Sequence, residues 1–285
     1  CAAIAEGDIL DGNGPAAGWA PSTRNNRRKA YAYWLYWLSV TEGLDDISEP
    51  MGRITPARIT AYIDNLEGTL ASSSIFIYLL DLLSLSKAVA PDLDWGWLTN
   101  IKNRLWARTN PARDKTAKIR SSSELFDLGL DLMNSAVGVT SRYNPLAVEV
   151  QFRSGLIISL LAARPMRLKN LTAIEIGRHI VCIDGVYWLR FEAEETKNRK
   201  HIEVPLPEVL TPYIERYLRV HRPKLLGASS SNRLWISRFG TPLSDNVIRY
   251  HVKKHTHNAF GHAISPHLFR DCAATSVAIE DPDHV

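Results

Sequence analysis

Between His179 and Val204 the chain carries its only strong β signal. His179–Asp184 and Val186–Glu192 are β-rich runs that meet at Asp184-Gly185, a dipeptide suited to a two-residue hairpin because both positions tolerate a positive φ. Lys200–Val204 reads as a third strand, which makes Glu194-Glu195-Thr196-Lys197-Asn198-Arg199 the turn between strands two and three. Helical patterns surround this sheet. One runs through Leu125, Leu128, Leu130 and Leu132, and a longer one from Pro145 through Val148, Phe152, Leu156, Leu160 and Leu161. A helical turn over Arg167–Leu171 follows, and helices resume at Pro207–His221 and from Ser244 to about His257. Residues 123–285 are therefore expected to form an α+β domain, with helices around a small three-stranded antiparallel sheet.

The first half reads differently. Residues 1–22 are rich in Gly, Ala and Pro, have no apolar period, and form a loose lead-in. Over residues 23–112 only helical spacing is visible. Ser22 or Thr23 is expected to cap a helix with Tyr31, Trp34, Leu35 and Leu38 on its core stripe. Thr55-Pro56 opens a second through Tyr62 and Leu66, and Ser72–Ser74 a third with Ile75, Tyr78, Leu79, Leu82, Leu83 and Leu85. Asp94-Trp95-Gly96-Trp97-Leu98 leads into a fourth through Ile101, Leu105 and Trp106. This half is expected to be all-α, its tryptophans and tyrosines serving as core. Residues 113–122, polar and basic, read as the linker.

Charge separates the halves further. Residues 1–115 hold 12 Lys+Arg and 13 Asp+Glu, a net −1, while residues 116–285 hold 22 and 17, a net +5. The second half is the more suited to a polyanion. Arg24, Arg27 and Arg28 load the first helix with positive charge against its dipole, and Arg113, Lys115, Lys118 and Arg120 do the same for the linker. A solvated basic face and contact with DNA phosphates fit these seven equally well. No apolar run approaches the length of a membrane span, and no leader follows Cys1. Cys1, Cys182 and Cys272 fit neither a disulfide framework nor a zinc spacing, so a cytoplasmic protein with reduced thiols is expected.

Near the end stands Ser265-Pro266-His267-Leu268-Phe269-Arg270. Serine followed by proline is a helix-start signal. A helix beginning there holds His267 in its first turn and Arg270 three residues on, on one face. An imidazole and a guanidinium at the positive end of a helix suit an anion, most naturally phosphate. Read with Arg167 on a helical turn and Lys197 on a β-turn, they offer three fixed positive charges and one imidazole to a phosphodiester. The guanidiniums can bond non-bridging oxygens and stabilise charge on a pentacoordinate phosphorus. A lysine on a turn can protonate a departing oxygen.

In these boxes the sequence resembles the tyrosine recombinases, or phage integrases. Ala163-Arg164-Pro165-Met166-Arg167-Leu168-Lys169-Asn170-Leu171 resembles the family's first-arginine box and Glu195-Thr196-Lys197-Asn198 its β-turn lysine box. Ser265 to Thr275 resembles its His-x-x-Arg box, including the Ala274-Thr275 that follows. The three come in the family's order, and the helical first half is similar to its core-binding domain. The resemblance implies site-specific breaking and rejoining of DNA through a 3′-phosphotyrosyl intermediate. Arg167 and Arg270 would bind the scissile phosphate, Lys197 would be the general acid, and His267 would assist. It also implies double-stranded DNA as partner, a homotetramer on DNA when full-length, no membrane and no cofactor.

Three departures stand out. Asn170 occupies a position where many relatives carry glutamate, and Asp271 one where many carry histidine. The family's nucleophilic tyrosine lies downstream of the His-x-x-Arg box, and no tyrosine follows Tyr250. Tyr187, Tyr213, Tyr217 and Tyr250 all precede it. The expectation is a recombinase shortened before its nucleophile and inactive in cleavage, or alternatively a non-catalytic DNA-binding regulator derived from one. His251 and His255, at i and i+4, could begin a zinc site together with His257 or His262. No acidic or cysteine partner completes it, Lys253 and Lys254 oppose a dication, and no metal is expected.

Overall fold

Prolines open two helices of the first unit. Pro21 starts α1 (Pro21–Thr41) and Pro56 starts α2 (Pro56–Glu67), positions where a missing N–H costs nothing. Thr55 caps α2, its hydroxyl accepting the Arg58 N–H at 3.4 Å. The expected cap by Ser22 or Thr23 is corrected: α1 begins at Pro21 after Ala20, with no side-chain cap. Helices α3 (Ser72–Val89) and α4 (Gly96–Arg108) complete this unit. The computed structural model describes residues 14–44, 49–109 and 115–280, and the chain divides into two units, Cys1–Asp114 and Lys115–Val285.

The aromatic stripe of the first unit is core, as its spacing indicates. Trp34 is fully buried and lies 5.3 Å from Trp37 and 5.2 Å from Tyr62, ring centre to ring centre. Burial pushes the Tyr62 hydroxyl up to about 12, with Tyr78 and Tyr33 adding to the shift. Trp106 departs from expectation: it is 63% exposed and lies tilted against Phe76, 4.9 Å ring centre to ring centre. Helix α3 also corrects the reading that no apolar run reaches span length, since it is long and apolar enough to cross a membrane. Its Ile75, Leu79, Leu82 and Leu83 are buried in the unit's core.

The second unit is helices around one small sheet. Helix α5 (Ser122–Asn134) starts on a capping box. The Ser121 hydroxyl accepts the Glu124 N–H, and the Glu124 carboxylate accepts the Ser121 N–H. Next comes α6 (Ala147–Ala163), buried along most of its length, and then the short α7 (Leu168–Ala173). Strands β1 (Ile180–Ile183), β2 (Val186–Phe191) and β3 (Ile202–Pro205) pair antiparallel in that order. The hairpin closes at Ile183↔Val186 with Asp184 at φ 48° and Gly185 at φ 82°, both left-handed. A helical run follows as α8 (Thr211–Arg216), a π-turn over Tyr217–His221 and α9 (Arg222–Leu226). Helix α10 (Asp245–Phe260) ends at left-handed Gly261, and α11 covers Leu268–Glu280.

Two packing features hold this unit. Helices α5 and α6 cross at a pair of glycines: a β-carbon added at Gly155 would sit 2.5 Å from the Gly129 carbonyl oxygen and 2.8 Å from Met133. Ser159 on α6 donates to the Phe126 carbonyl on α5 at 2.9 Å. The second feature is buried Arg153 of α6, which donates to the Ile236 carbonyl and, at 3.4 Å, to Nε2 of His251. Arginine has only donors, so His251 must accept there and be neutral. Burial, then Arg153 and His255, hold His251 down at about 3, and burial with Lys254 and Arg153 holds His255 at about 4.

Two outcomes follow from this packing. Gly155→Ala should cost about 1–3 kcal/mol, because neither backbone can retreat without opening the core; an unchanged melting temperature would refute the close crossing. Acidification should also destabilise the fold. The unfolded chain protonates His251 and His255 near their ordinary value of about 6.5, while the folded chain resists until pH 3 to 4. Between those limits the unfolded state binds more protons, so stability falls as pH falls. His251→Gln should shrink that fall, measured by melts at successive pH values.

Candidate phosphodiester site

The end of α6 and the start of α7 sort two arginines by what they touch. Arg164 donates to the Pro205 carbonyl through Nε at 3.0 Å and NH2 at 2.7 Å, and to the Ala163 carbonyl at 2.8 Å. It ties the helix end to β3. Arg167, three residues on, precedes α7 in extended backbone and is only half-buried. Among the described residues its single hydrogen bond donates from NH2 to Oδ1 of Asn198 at 3.0 Å, and no carboxylate pairs with it.

The turn carrying Lys197 is anchored from beneath. The Thr196 hydroxyl donates to the Lys200 carbonyl at 2.8 Å and accepts the Lys200 N–H at 2.9 Å. Asn170, 8% exposed, donates to the Glu195 carbonyl at 3.4 Å. His179, buried and stacked on Phe191, meets the Glu195 carboxylate at 3.0 Å, and Arg178 reaches the same oxygen at 2.6 Å. Arg199 takes a left-handed φ of 50° to close the turn. The loop base is thus fixed while the Lys197 side chain stands exposed.

The His-x-x-Arg segment departs slightly from its expected form. Helix α11 begins at Leu268, two residues after Pro266, and the Ser265 carbonyl, not its hydroxyl, accepts the first N–H, from Leu268 at 2.9 Å. His267 therefore lies in the lead-in turn. Its carbonyl accepts the Arg270 N–H at 3.2 Å, which holds the two residues a turn apart. Asp271, beside Arg270, points instead to Lys115 at 3.4 Å.

These segments meet. Arg167, Lys197, His267 and Arg270 line one open pocket of about 290 Å³, floored by Met166, Leu168 and Pro266. Arg249 of α10 lines it too, a residue the sequence pattern did not single out; nothing in its helical spacing marks it. No carboxylate lines the pocket, and none of the tyrosines among the described residues does so. Of the cations that contend for the lysine position, Lys197 is in this pocket. Lys200 lines an adjoining cavity of about 400 Å³ that shares Arg167 and Arg270. An arrangement of this kind can grip a phosphate by its oxygens and place a proton donor beside it.

The other basic positions have separate fates. Arg24 donates to the Trp19 and Ala17 carbonyls at 3.0 and 3.1 Å, and Arg27 lies 3.6 Å over the Trp19 ring. Both are half-buried, and burial lowers the Arg27 pKa, partly offset by Asp81. Arg28 is exposed and bonded to Asn25 at 3.0 Å. Lys115 pairs with Asp271, Lys118 is exposed, and Arg120 donates to the Ile119 carbonyl at 3.0 Å. Arg113 lies outside the described residues. No three His, Cys, Asp or Glu side chains among the described residues are grouped to hold a metal.

Residues 141–283, which contain the whole pocket, match the model of the phage integrase family. The chain is 30% identical over 125 residues to tyrosine recombinase XerD of Staphylococcus saprophyticus, covering 44% of this chain and 40% of that protein. It is 28% identical over 176 residues to tyrosine recombinase XerC of Alcanivorax borkumensis, covering 59% and 52%. The chain spans about half the length of the curated relatives it matches. Among solved structures it is similar to the XerH site-specific recombinase bound to difH substrate in a pre-cleavage complex. The TM-score is 0.60 at 13% identity, over 92% of this chain and 70% of that one. A post-cleavage complex of XerH with palindromic difH gives 0.62, also at 13%. At such identity the likeness is one of fold.

The two arginines of the first box should separate in the test tube. Arg164→Ala removes a staple between α6 and β3 and should cost about 1–3 kcal/mol of stability. Arg167→Ala gives up one bond to an exposed asparagine and should leave the melt nearly unchanged. Equal losses in both variants would show that the sorting is wrong.

Proposed function

The chain belongs to the phage integrase family of tyrosine recombinases, and on that premise we propose that its second unit grips and activates a DNA phosphodiester for strand exchange. The observation that carries this is the carboxylate-free pocket shared by Arg167, Lys197, His267 and Arg270. In this reading Arg167 and Arg270 each bond a non-bridging oxygen, and their bonds strengthen as charge grows on the pentacoordinate phosphorus. A tyrosine hydroxyl attacks phosphorus and the bond to the 5′-oxygen breaks. The DNA keeps a 3′-phosphotyrosyl link, and the 5′-oxygen leaves as a hydroxyl with a proton from Lys197. His267 assists as proton acceptor or oxygen ligand. Charge stabilisation and positioning by fixed protein cations do most of the work in phosphoryl transfer.

Duplex DNA is the proposed partner, with a homotetramer on DNA as the working assembly and a site of action inside the cell. Arg28 and Lys118, both exposed, are the proposed contacts of backbone phosphates; Arg24 and Arg27, in the first turns of α1 and engaged by Ala17 and Trp19, are weaker candidates. Arg113, Lys115 and Arg120 remain proposed contacts of the linker. Among the described residues, Tyr213 and Tyr217 are engaged elsewhere and do not line the pocket. Tyr217 is buried and bonded to the Leu234 carbonyl at 3.0 Å, and Tyr213 to Asn134 at 3.0 Å. A DNA-binding regulator without chemistry is the second reading of the same pocket.

A polypeptide of these 285 residues should bind duplex DNA with an affinity that falls steeply with salt, and should form no covalent adduct with it. A trapped adduct would overturn the second reading and the inactivity of these residues together. In any form of the protein carrying the family's nucleophilic tyrosine, Arg167→Ala or Arg270→Ala should lower cleavage by about 10²–10³ or more while much of the affinity remains. Lys197→Ala should be rescued by a 5′-thiolate leaving group, which needs no proton. Full activity in both arginine variants would discard the recombinase reading of this pocket.

A further inference from the structure

Arg249 is the surplus cation of the pocket. It projects from α10 into the space lined by Arg167, Lys197, His267 and Arg270. Its side chain is exposed and makes no hydrogen bond or ion pair among the described residues. Asp245, four residues earlier on the same helix, is positioned by spacing to pair with it and does not. A folded protein gains nothing by holding an unpaired arginine beside three other fixed cations, because like charges at close range repel. The arrangement becomes favourable when anions enter.

One phosphate does not use all of that charge. A phosphodiester carries a single negative charge and two non-bridging oxygens. Arg167 and Arg270 suffice for the oxygens, and Lys197 is placed for the leaving group. Along a DNA strand the next charge comes only about 3.4 Å further on the helix axis. Building on the recombinase reading above, we propose that Arg249 is a positioning residue that binds the phosphate next to the one held by Arg167 and Arg270. It fixes the register of the strand, so that one phosphodiester and not its neighbour lies against the two arginines. Lying on α10 and not on the His-x-x-Arg segment, it holds that second point from an independent element.

The salt dependence of binding tests this. For the 285-residue chain and a duplex oligonucleotide, the slope of log K against log salt counts neutralised phosphates at about 0.9 each. Arg249→Gln should make the slope shallower by about 0.9, because its phosphate has no other cation. Arg249→Lys should keep the wild-type slope, which a purely structural role would not require. Arg270→Gln should weaken binding yet leave the slope nearly intact, since Arg167 still neutralises the shared phosphate. If Arg249→Gln behaves like Arg270→Gln, Arg249 shares the central phosphate and the proposal fails. If it leaves both affinity and slope at wild-type values, Arg249 meets no phosphate and the proposal fails equally. A wild-type chain whose binding shows no salt dependence would remove the recombinase reading itself and this proposal with it, a result visible before any variant is made.

Discussion

Two glycines facing each other, Gly129 on α5 and Gly155 on α6, let those backbones come within van der Waals contact, and the second unit is built out from that closeness. It fixes α6 as a buried axis. The far end of that axis sets where the chain emerges at Arg164, and Arg164 is stapled at once to the Pro205 carbonyl of β3. Three residues later Arg167 has few directions left to face. The pocket thus depends on a contact between atoms that take no part in it.

Arginine serves this fold in two capacities. Arg153, Arg164, Arg222 and Arg233 donate to backbone carbonyls: Ile236, Pro205, the Ser231 and Arg233 carbonyls, and Ala173 in turn. Carbonyls engage these guanidiniums without neutralising them, Arg233 alone of the four also pairing with a carboxylate among the described residues, Glu175 at 3.6 Å, and the planar fork reaches two loops at once. Among the described residues Arg167, Arg249 and Arg270 have no such carbonyl partners. Their charge faces an open pocket without a carboxylate, a placement that opposes stability in the empty protein. Structural rigidity beneath the Lys197 turn, from Thr196, Asn170 and the His179–Glu195 contact, is what keeps the cations gathered.

Much of this was legible in the chain itself. Asp184-Gly185 between β-rich runs specified a hairpin, and both residues adopt the left-handed backbone that a two-residue turn needs. Helical spacing placed the core leucines, and three short boxes in order pointed to four side chains that do line one pocket. What the pattern did not carry is the direction in which side chains point. Arg24 and Arg27 read as cations for a partner, yet the Ala17 and Trp19 carbonyls and the Trp19 ring occupy them. Arg249 read as one more polar residue on an amphipathic helix. Trp106 read as core by spacing and is exposed, while Leu105 beside it packs against the core. Ser265-Pro266 marked the helix start two residues early, since a tight turn precedes α11.

The missing counter-charge in the pocket has a kinetic side. Fixed positive charges on a concave surface focus their field outward, so an approaching polyanion is attracted before any hydrogen bond forms. Encounter is then biased toward the face that carries the pocket, and the rate of arrival, more than the rate of departure, becomes sensitive to ionic strength. A DNA strand, the proposed partner, would arrive with its backbone already toward the cations. Orientation, ordinarily the slow part of docking two surfaces, is partly settled during diffusion.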